Sequence, residues 1–300
     1  MTRNLRVTRL TSVLGARIDG ISLADPPAPE TLAILRAALL EHLVLVFPAQ
    51  DLSADQQHRF ASAFDKPEPH PVTRFLGGDE TIVRVDNELI APPDPTAPPH
   101  LDHLATHGAW HTDYTFHREI PTFATLRAEV VPPIGGDTVW SSTVAAYDAL
   151  SPRVQGWLED LRAVHWHGPH FARNFGLEAK GADAVARFEK AFPPVEHPVV
   201  ITHPETGRRA LFVNPSYTVR LVGLEAAESE VLLRFLFQHV TQSRFQFRHH
   251  WSPEDLVLWD ERATLHLAPT DYLPHRRRLI RVAVGSEAPR ADPPSISMSS

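Results

Sequence analysis

The 300-residue chain contains no cysteine. That absence excludes a disulfide scaffold, thiolate metal sites, iron–sulfur clusters and a cysteine nucleophile. No apolar run approaches the ~18–20 residues of a membrane-spanning helix; Leu43–Phe47 is only a short strand-like run. The N-terminal stretch MTRNLRVTRL is charged and lacks an apolar signal core, so a cytoplasmic protein is expected. Positive charge is in deficit, with 29 Lys and Arg against 36 Asp and Glu for a net charge of −7. That balance argues against nucleic acid as the main partner. Internal repeats are also missing, as is any flexible linker between two cores. One domain over residues 1–287 is therefore expected. The tail 288–300, rich in proline and serine, is expected to be disordered.

What is present reads mainly as β-structure with flanking helices. Proline is frequent (28 residues) and dispersed, which favours strands and loops over long helices. Arg6 to Ile21 alternates and turns at Gly15 and Gly20, like a hairpin. Pro29–His42 has helical apolar spacing, and Ser53–Phe64 opens with a capping pair, Ser53 and Gln56. Short strands are expected at Thr81–Asp86, Phe123–Arg127, Thr138–Trp140, Val199–Thr202, Ala210–Val213, Gln246–Arg248, Leu256–Trp259, Leu265–Leu267 and Leu279–Val284. Helices are expected at Ser151–Leu161, around Asp183–Ala191 and at Glu225–Val240. Many short strands with turn signals between them suggest a sandwich or barrel. Ala91 to His100, APPDPTAPPH, is a loop just before the main motif, read either as a lid or as a passive surface insertion.

The strongest local signal is Trp110-His111-Thr112-Asp113-Tyr114-Thr115-Phe116. In an extended segment, residues two apart face one side, so His111 and Asp113 can point into one cavity. An imidazole and a carboxylate are two arms of a metal site. A distant histidine as third arm makes a facial triad with open coordination positions, the pattern of non-haem Fe(II) oxygenases. Alone, His-x-Asp is weak, and is more often a surface pair or a structural hydrogen bond. Downstream stand Leu258-Trp259-Asp260-Glu261-Arg262-Ala263-Thr264-Leu265-His266, then Asp271-Tyr272 and Arg276-Arg277-Arg278-Leu279-Ile280-Arg281.

With His70-Pro71-Val72, Gly135-Gly136-Asp137-Thr138, His197-Pro198-Val199-Val200 and Leu211-Phe212-Val213-Asn214 in the same order and spacing, the chain resembles the taurine dioxygenase / 2,4-dichlorophenoxyacetate dioxygenase family. The resemblance runs from about Leu43 to Val284. It implies a double-stranded β-helix (jelly-roll, cupin-like) core and an Fe(II)- and 2-oxoglutarate-dependent dioxygenase. Such an enzyme uses O2 to hydroxylate a C–H bond of a small anionic substrate, releasing succinate and CO2. Residue by residue, it implies His111, Asp113 and His266 as iron ligands. It assigns Thr138 and Arg277 to the distal carboxylate of 2-oxoglutarate, and Arg281 and His70 to the substrate anion. Along a strand, 277, 279 and 281 share one face, and arginine is the natural bidentate partner of a carboxylate or sulfonate. Phe116, Tyr217 and Trp259 are candidate apolar walls. A homo-oligomer, dimer or tetramer, is the assembly the resemblance implies.

Departures concern the substrate. Taurine-specific members carry Asn four residues before the first iron-binding histidine and Tyr three residues after the one matching His70. Here those positions are His107 and Thr73. The anion pocket is retained and the pocket for the rest of the molecule differs, with His107 lining it. Sulfonates, alkyl sulfates, aryloxyalkanoates and other carboxylates all satisfy Arg281. A biosynthetic hydroxylase or desaturase acting on a carboxylated metabolite stays open, as do a catalytically silent binding protein on this fold and a zinc hydrolase. The last leaves Thr138 and Arg277 without a role. Asp113 disfavours halogenation, since halide-transferring relatives lack that carboxylate.

Overall fold

The computed structural model describes residues 5–78, 80–88, 110–168, 177 and 180–291. The N-terminal half runs β1 (Arg6–Arg9), β2 (Ala16–Asp19), α1 (Pro29–His42), β3 (Val44–Phe47), α2 (Ala54–Ser62), α3 (Pro71–Phe75), β4 (Ile82–Asp86), β5 (Phe123–Val130), β6 (Thr138–Ser142), α4 (Thr143–Asp148) and α5 (Pro152–Leu158). There follow β7 (Arg162–His165), α6 (Ala182–Ala191), β8 (Val195–Pro198), β9 (Val200–Thr202), β10 (Arg209–Leu211), β11 (Thr218–Leu221) and α7 (Ala226–Val240). The chain then closes with β12 (Gln246–His249), β13 (Leu256–Asp260), β14 (Thr264–Leu267) and β15 (Arg278–Val284).

A seven-stranded sheet, ordered β1-β2-β3-β13-β5-β15-β4, faces a three-stranded sheet ordered β12-β6-β14. Alternation along β13 shows how the layers form. Val257 and Trp259 enter the core between the sheets with Trp140, Phe247 and Leu279. Leu256 and Leu258 face the other way, into a second core under α1 and α2 with Leu35, Leu39, Phe60 and Val282. Residues two apart share a face, so a strand buried on both sides has no polar position to spare. This explains why LVLW reads as a continuous apolar run. The result is a jelly-roll core clad by helices. Among the described residues no helix is long and apolar enough to cross a membrane.

The helices start where their caps say. Ser53 and Gln56 exchange side-chain and backbone hydrogen bonds of 2.8 and 3.1 Å at the start of α2. One turn on, Gln57 is fully buried and ties α2 to the large sheet, donating to Ile280 O at 2.9 Å and Thr125 Oγ1 at 3.1 Å. That stitch lies directly beside Arg281. Two short helices, α3 and α4, are absent from the sequence reading, because one or two turns carry no visible periodicity.

The end of the chain differs from expectation. Residues 288–291, placed in a disordered tail by composition, lie against β9. Thr202 N donates to Arg290 O at 2.8 Å, and Ala291 O accepts from Thr202 Oγ1 and Arg209. Backbone partners offered by an edge strand outweigh the local Pro and Ser content. Residues 292–300, the proline-rich 91–100 loop and His107 lie outside the described residues.

Candidate active site

Two backbone hydrogen bonds join the distant motifs. His111 N donates to His266 O at 3.0 Å, and His266 N returns to His111 O at 2.7 Å. The two histidines thus sit opposite each other across an isolated antiparallel bridge, with ring centroids 4.2 Å apart. The third member arrives by a different route from that expected. Asp113 does not continue an extended strand; the chain turns there, and Tyr114 adopts a left-handed φ of 59°. The carboxylate still reaches the same point, with Oδ1 3.6 Å from His111 Nε2 and 4.0 Å from His266 Nε2. Two imidazole nitrogens and one carboxylate oxygen, all within 4.8 Å of one another, form a donor set that can hold a divalent metal.

The turn is braced on every side. Thr112 Oγ1 donates to Thr264 O at 2.8 Å. Asn214 Nδ2 donates to Thr115 Oγ1 at 3.0 Å, and the buried His197 Nε2 reaches both Thr115 O and His117 O at 3.0 Å. Glu261 is buried, and its Oε2 accepts from Asp113 N at 3.1 Å. Its turn is in turn anchored by Asp260, fully buried, which is held by Arg262 at 2.8 Å and by His203 at 2.9 Å.

Charge divides the Asp113 carboxylate into two jobs. Oδ1 faces the imidazoles, while Oδ2 accepts from Arg281 Nη2. Burial alone would raise the Asp113 carboxyl; Arg281, His266, Glu261 and His111 together outweigh it and hold it well below the usual carboxylate range. Burial pushes the His266 imidazole down to about 3, with the neighbouring His111 adding to the effect, so His266 stays a neutral nitrogen donor. The carboxyl of Glu261 is pushed well up by burial and by the Asp113 charge.

The expected substrate residues surround this point. Arg281 Nη1 donates to Tyr114 Oη at 2.6 Å, so the guanidinium rests on a carboxylate and a phenol of its own chain. Its Nε is buried without a hydrogen-bond partner among the described residues. The ring of His70 packs edge-on against Tyr114 at 4.7 Å. Its Nδ1 accepts from Val72 N at 3.1 Å, which leaves the proton on Nε2, and burial lowers its pKa to about 3. Tyr217 stands edge-on to His111 at 6.2 Å, and the buried Phe116 backs it at 5.1 Å. Trp259 lies 5.3 Å from His266 but belongs to the core between the sheets.

Thr138 and Arg277 meet a short distance along the same interior. His266 pairs with Trp140 across β14 and β6, and Thr138 is two residues from Trp140 on that face. Arg277 reaches it past the Gly135-Gly136 turn, donating from Nε to Gly136 O at 2.7 Å and from Nη2 to Thr138 Oγ1 at 3.1 Å. Both glycines have positive φ, and a Cβ on Gly136 would stand 3.1 Å from the Arg277 side chain. Glycine is therefore required for the approach as well as for the turn. Arg277 is buried, yet none of the ion pairs among the described residues involves it. Burial lowers its pKa to about 10, and Tyr272, Asp137 and Asp271 offset this only in part. A buried cation without an acid partner suits an anionic ligand, so this pocket fits one carboxylate of 2-oxoglutarate. The indole of Trp251, a residue with no sequence signal, donates to Thr138 Oγ1 at 3.0 Å.

Comparison with known proteins agrees. Residues 6–283 match the family model described as taurine catabolism dioxygenase TauD, TfdA family. An alkylsulfatase of Acinetobacter baylyi is 33% identical over 95% of this chain and 86% of its own. The alpha-ketoglutarate-dependent 2,4-dichlorophenoxyacetate dioxygenase of Cupriavidus pinatubonensis is 34% identical over 93% of this chain and 97% of its own. The crystal structure of a taurine dioxygenase from Burkholderia xenovorans superimposes with a TM-score of 0.77 and 32% identity, covering 95% of this chain and 92% of that one. The jelly-roll core, the His-Asp-His cluster and these matches together place the chain in the TauD/TfdA family, as an enzyme that uses Fe(II), 2-oxoglutarate and O2.

Proposed function

We propose that His111, Asp113 and His266 hold the Fe(II), that Thr138 and Arg277 receive the distal carboxylate of 2-oxoglutarate, and that Arg281 with His70 receives the substrate's anionic group. The observation that carries this reading is the pairing of a three-ligand cluster with a buried guanidinium, Arg277, that lacks an acidic partner among the described residues. When bound, Fe(II), 2-oxoglutarate and O2 supply the oxidant that hydroxylates a C–H bond, with succinate and CO2 released. The chain's own part is positioning and exclusion of water. Arg281 fixes the anionic end, and the ring of Tyr217 beside His111 presents an apolar wall to the rest of the molecule, with Phe116 behind it. Neutral His266 and ionised Asp113 are in the protonation states a metal requires.

The substrate is read as a small organic anion with an apolar body, of the sulfate ester or aryloxyalkanoate kind. Two relatives carry such substrates in their names, and Thr73 replaces the tyrosine of taurine-specific members. Hydroxylation at the carbon bearing the ester or ether oxygen gives an unstable product that collapses to a carbonyl compound and the free sulfate or phenol. The proposed homo-oligomer rests on the family resemblance alone. The decisive assay is succinate formation with anaerobically added Fe(II) and a panel of alkyl sulfates, aryloxyalkanoates, alkyl sulfonates including taurine, and simple carboxylates. Stimulation by the first two classes is expected. Stimulation by taurine alone would overturn the substrate reading, and failure to bind 2-oxoglutarate would overturn the site.

A further inference from the structure

The oxygen of Thr138 is more tightly constrained than its place in a Gly-Gly-Asp-Thr motif suggests. Oγ1 accepts two hydrogen bonds, from Trp251 Nε1 at 3.0 Å and from Arg277 Nη2 at 3.1 Å. A hydroxyl oxygen has two lone pairs and one hydrogen, while indole and guanidinium can only donate. Both lone pairs are therefore taken, and the hydroxyl hydrogen has to find an acceptor elsewhere. Among the described residues no protein group accepts it, although Thr138 is 1% exposed and Trp251 is 3% exposed. A buried O–H and a buried guanidinium, neither satisfied by an acid, define one place for a carboxylate.

The position of Trp251 follows from the strand before it. His249 ends β12 opposite Thr138. The chain then turns, with Ser252 N held by Asp255 Oδ2 at 3.0 Å, and the indole folds back over the same pair. His249 packs edge-on against the indole at 4.7 Å and limits its rotation.

We propose that Trp251 is a positioning residue for 2-oxoglutarate: its indole N–H occupies a Thr138 lone pair, so the hydroxyl can act on the distal carboxylate only as a donor. The inference rests on the assignment of Thr138 and Arg277 to that carboxylate. Without the indole, Oγ1 regains a free lone pair and the hydroxyl can turn its hydrogen away. The clamp then loses part of its preference for a charged end over an apolar one.

The test is equilibrium binding of 2-oxoglutarate and of 2-oxopentanoate, which lacks the distal carboxylate, to anaerobic Fe(II)-loaded protein by calorimetry. Trp251→Phe is expected to raise the Kd for 2-oxoglutarate about three- to tenfold, the size of one neutral hydrogen bond. Binding of 2-oxopentanoate should not change, and adding Trp251→Phe to Thr138→Val should have no further effect. Equal weakening of both ligands, or an unchanged Kd for 2-oxoglutarate while Thr138→Val weakens it, overturns the role of Trp251 and leaves the clamp standing. An unchanged affinity in Thr138→Val itself overturns the underlying assignment. Should the phenylalanine variant not fold, Zn(II)-loaded wild-type protein carrying 15N-tryptophan gives a second reading. The Trp251 indole resonance should move with 2-oxoglutarate and stay put with 2-oxopentanoate; the same shift with both ligands removes the proposal.

Discussion

Arg277 and Arg281 stand four residues apart on one face of the β15 segment, and both are buried. Their surroundings are opposite. Arg281 rests on Asp113 and Tyr114, and although burial works against its charge, Asp113 raises its pKa above the ordinary value. Arg277 rests on a carbonyl and a hydroxyl, and burial lowers its pKa. The same residue type on the same face is thus neutralised by a carboxylate in one case and left without an acid partner among the described residues in the other. One guanidinium is neutralised by an acid of its own chain; the other has only neutral partners among the described residues. Arg281 keeps its Nε–H without a partner among the described residues, so the contact with Asp113 does not use up its donors.

Four outcomes would sharpen or break that contrast. The largest concerns the carboxylate that separates the two arginines. Asp113→Asn, like His266→Ala, is expected to reduce succinate formation to the level of protein without Fe(II), read by a coupled succinate assay. A near-normal rate in either variant would remove the cluster from the chemistry. Next, Arg281→Met leaves the Asp113 carboxylate buried without its cation. It is expected to cost about 3–5 kcal/mol of stability, measured by denaturant unfolding of metal-free protein.

Arg277→Met should do the reverse. Unfolding of the ligand-free protein is expected to change little or become harder, because a charge buried without an acid partner is removed. The Kd for 2-oxoglutarate should rise by about ten- to a hundredfold, the loss of a charge-assisted bond. Equal destabilisation by both methionine variants would erase the distinction between the arginines.

The smallest effect is a pH dependence in which buried histidines away from the site add to His70 and His266 within it. Burial holds His165 and His197 below the ordinary 6.5, with ring centroids 5.0 Å apart. As pH falls through 6.5 the unfolded chain takes up protons that the fold refuses, so stability is flat above that value and declines below it. Asp113 and Asp260 are shifted down, so the stability they add is lost only below the ordinary carboxylate value of 3.8. The thermal midpoint should therefore fall between pH 7 and pH 5, and less so in a His165→Gln variant; a midpoint flat across that range would contradict the assignment.

Much of the molecule is legible in the sequence. The helix at Pro29–His42 and the Ser53 cap are local consequences of proline placement, apolar spacing and a capping pair. The members of the His-Asp-His cluster could be named from two motifs. What stayed illegible was non-local. Nothing near Tyr114 announces its left-handed backbone, nothing in HHW marks Trp251 as a partner of Thr138, and the contact of Glu261 with Asp113 spans 148 residues of chain. Residues 288–291 looked disordered because their partners lie on β9.

By itself, then, the sequence determined the alternation that makes strands two-faced, the helix caps, the inventory of metal-binding and cationic side chains, and through motif order the family. These depend on chain neighbours a few residues apart. Only the tertiary structure decided which charges cancel. Whether a buried arginine meets a carboxylate depends on strand register and on one turn at Asp113, set by packing across more than a hundred residues. That is why two arginines in one run of sequence came to hold opposite positions in the site.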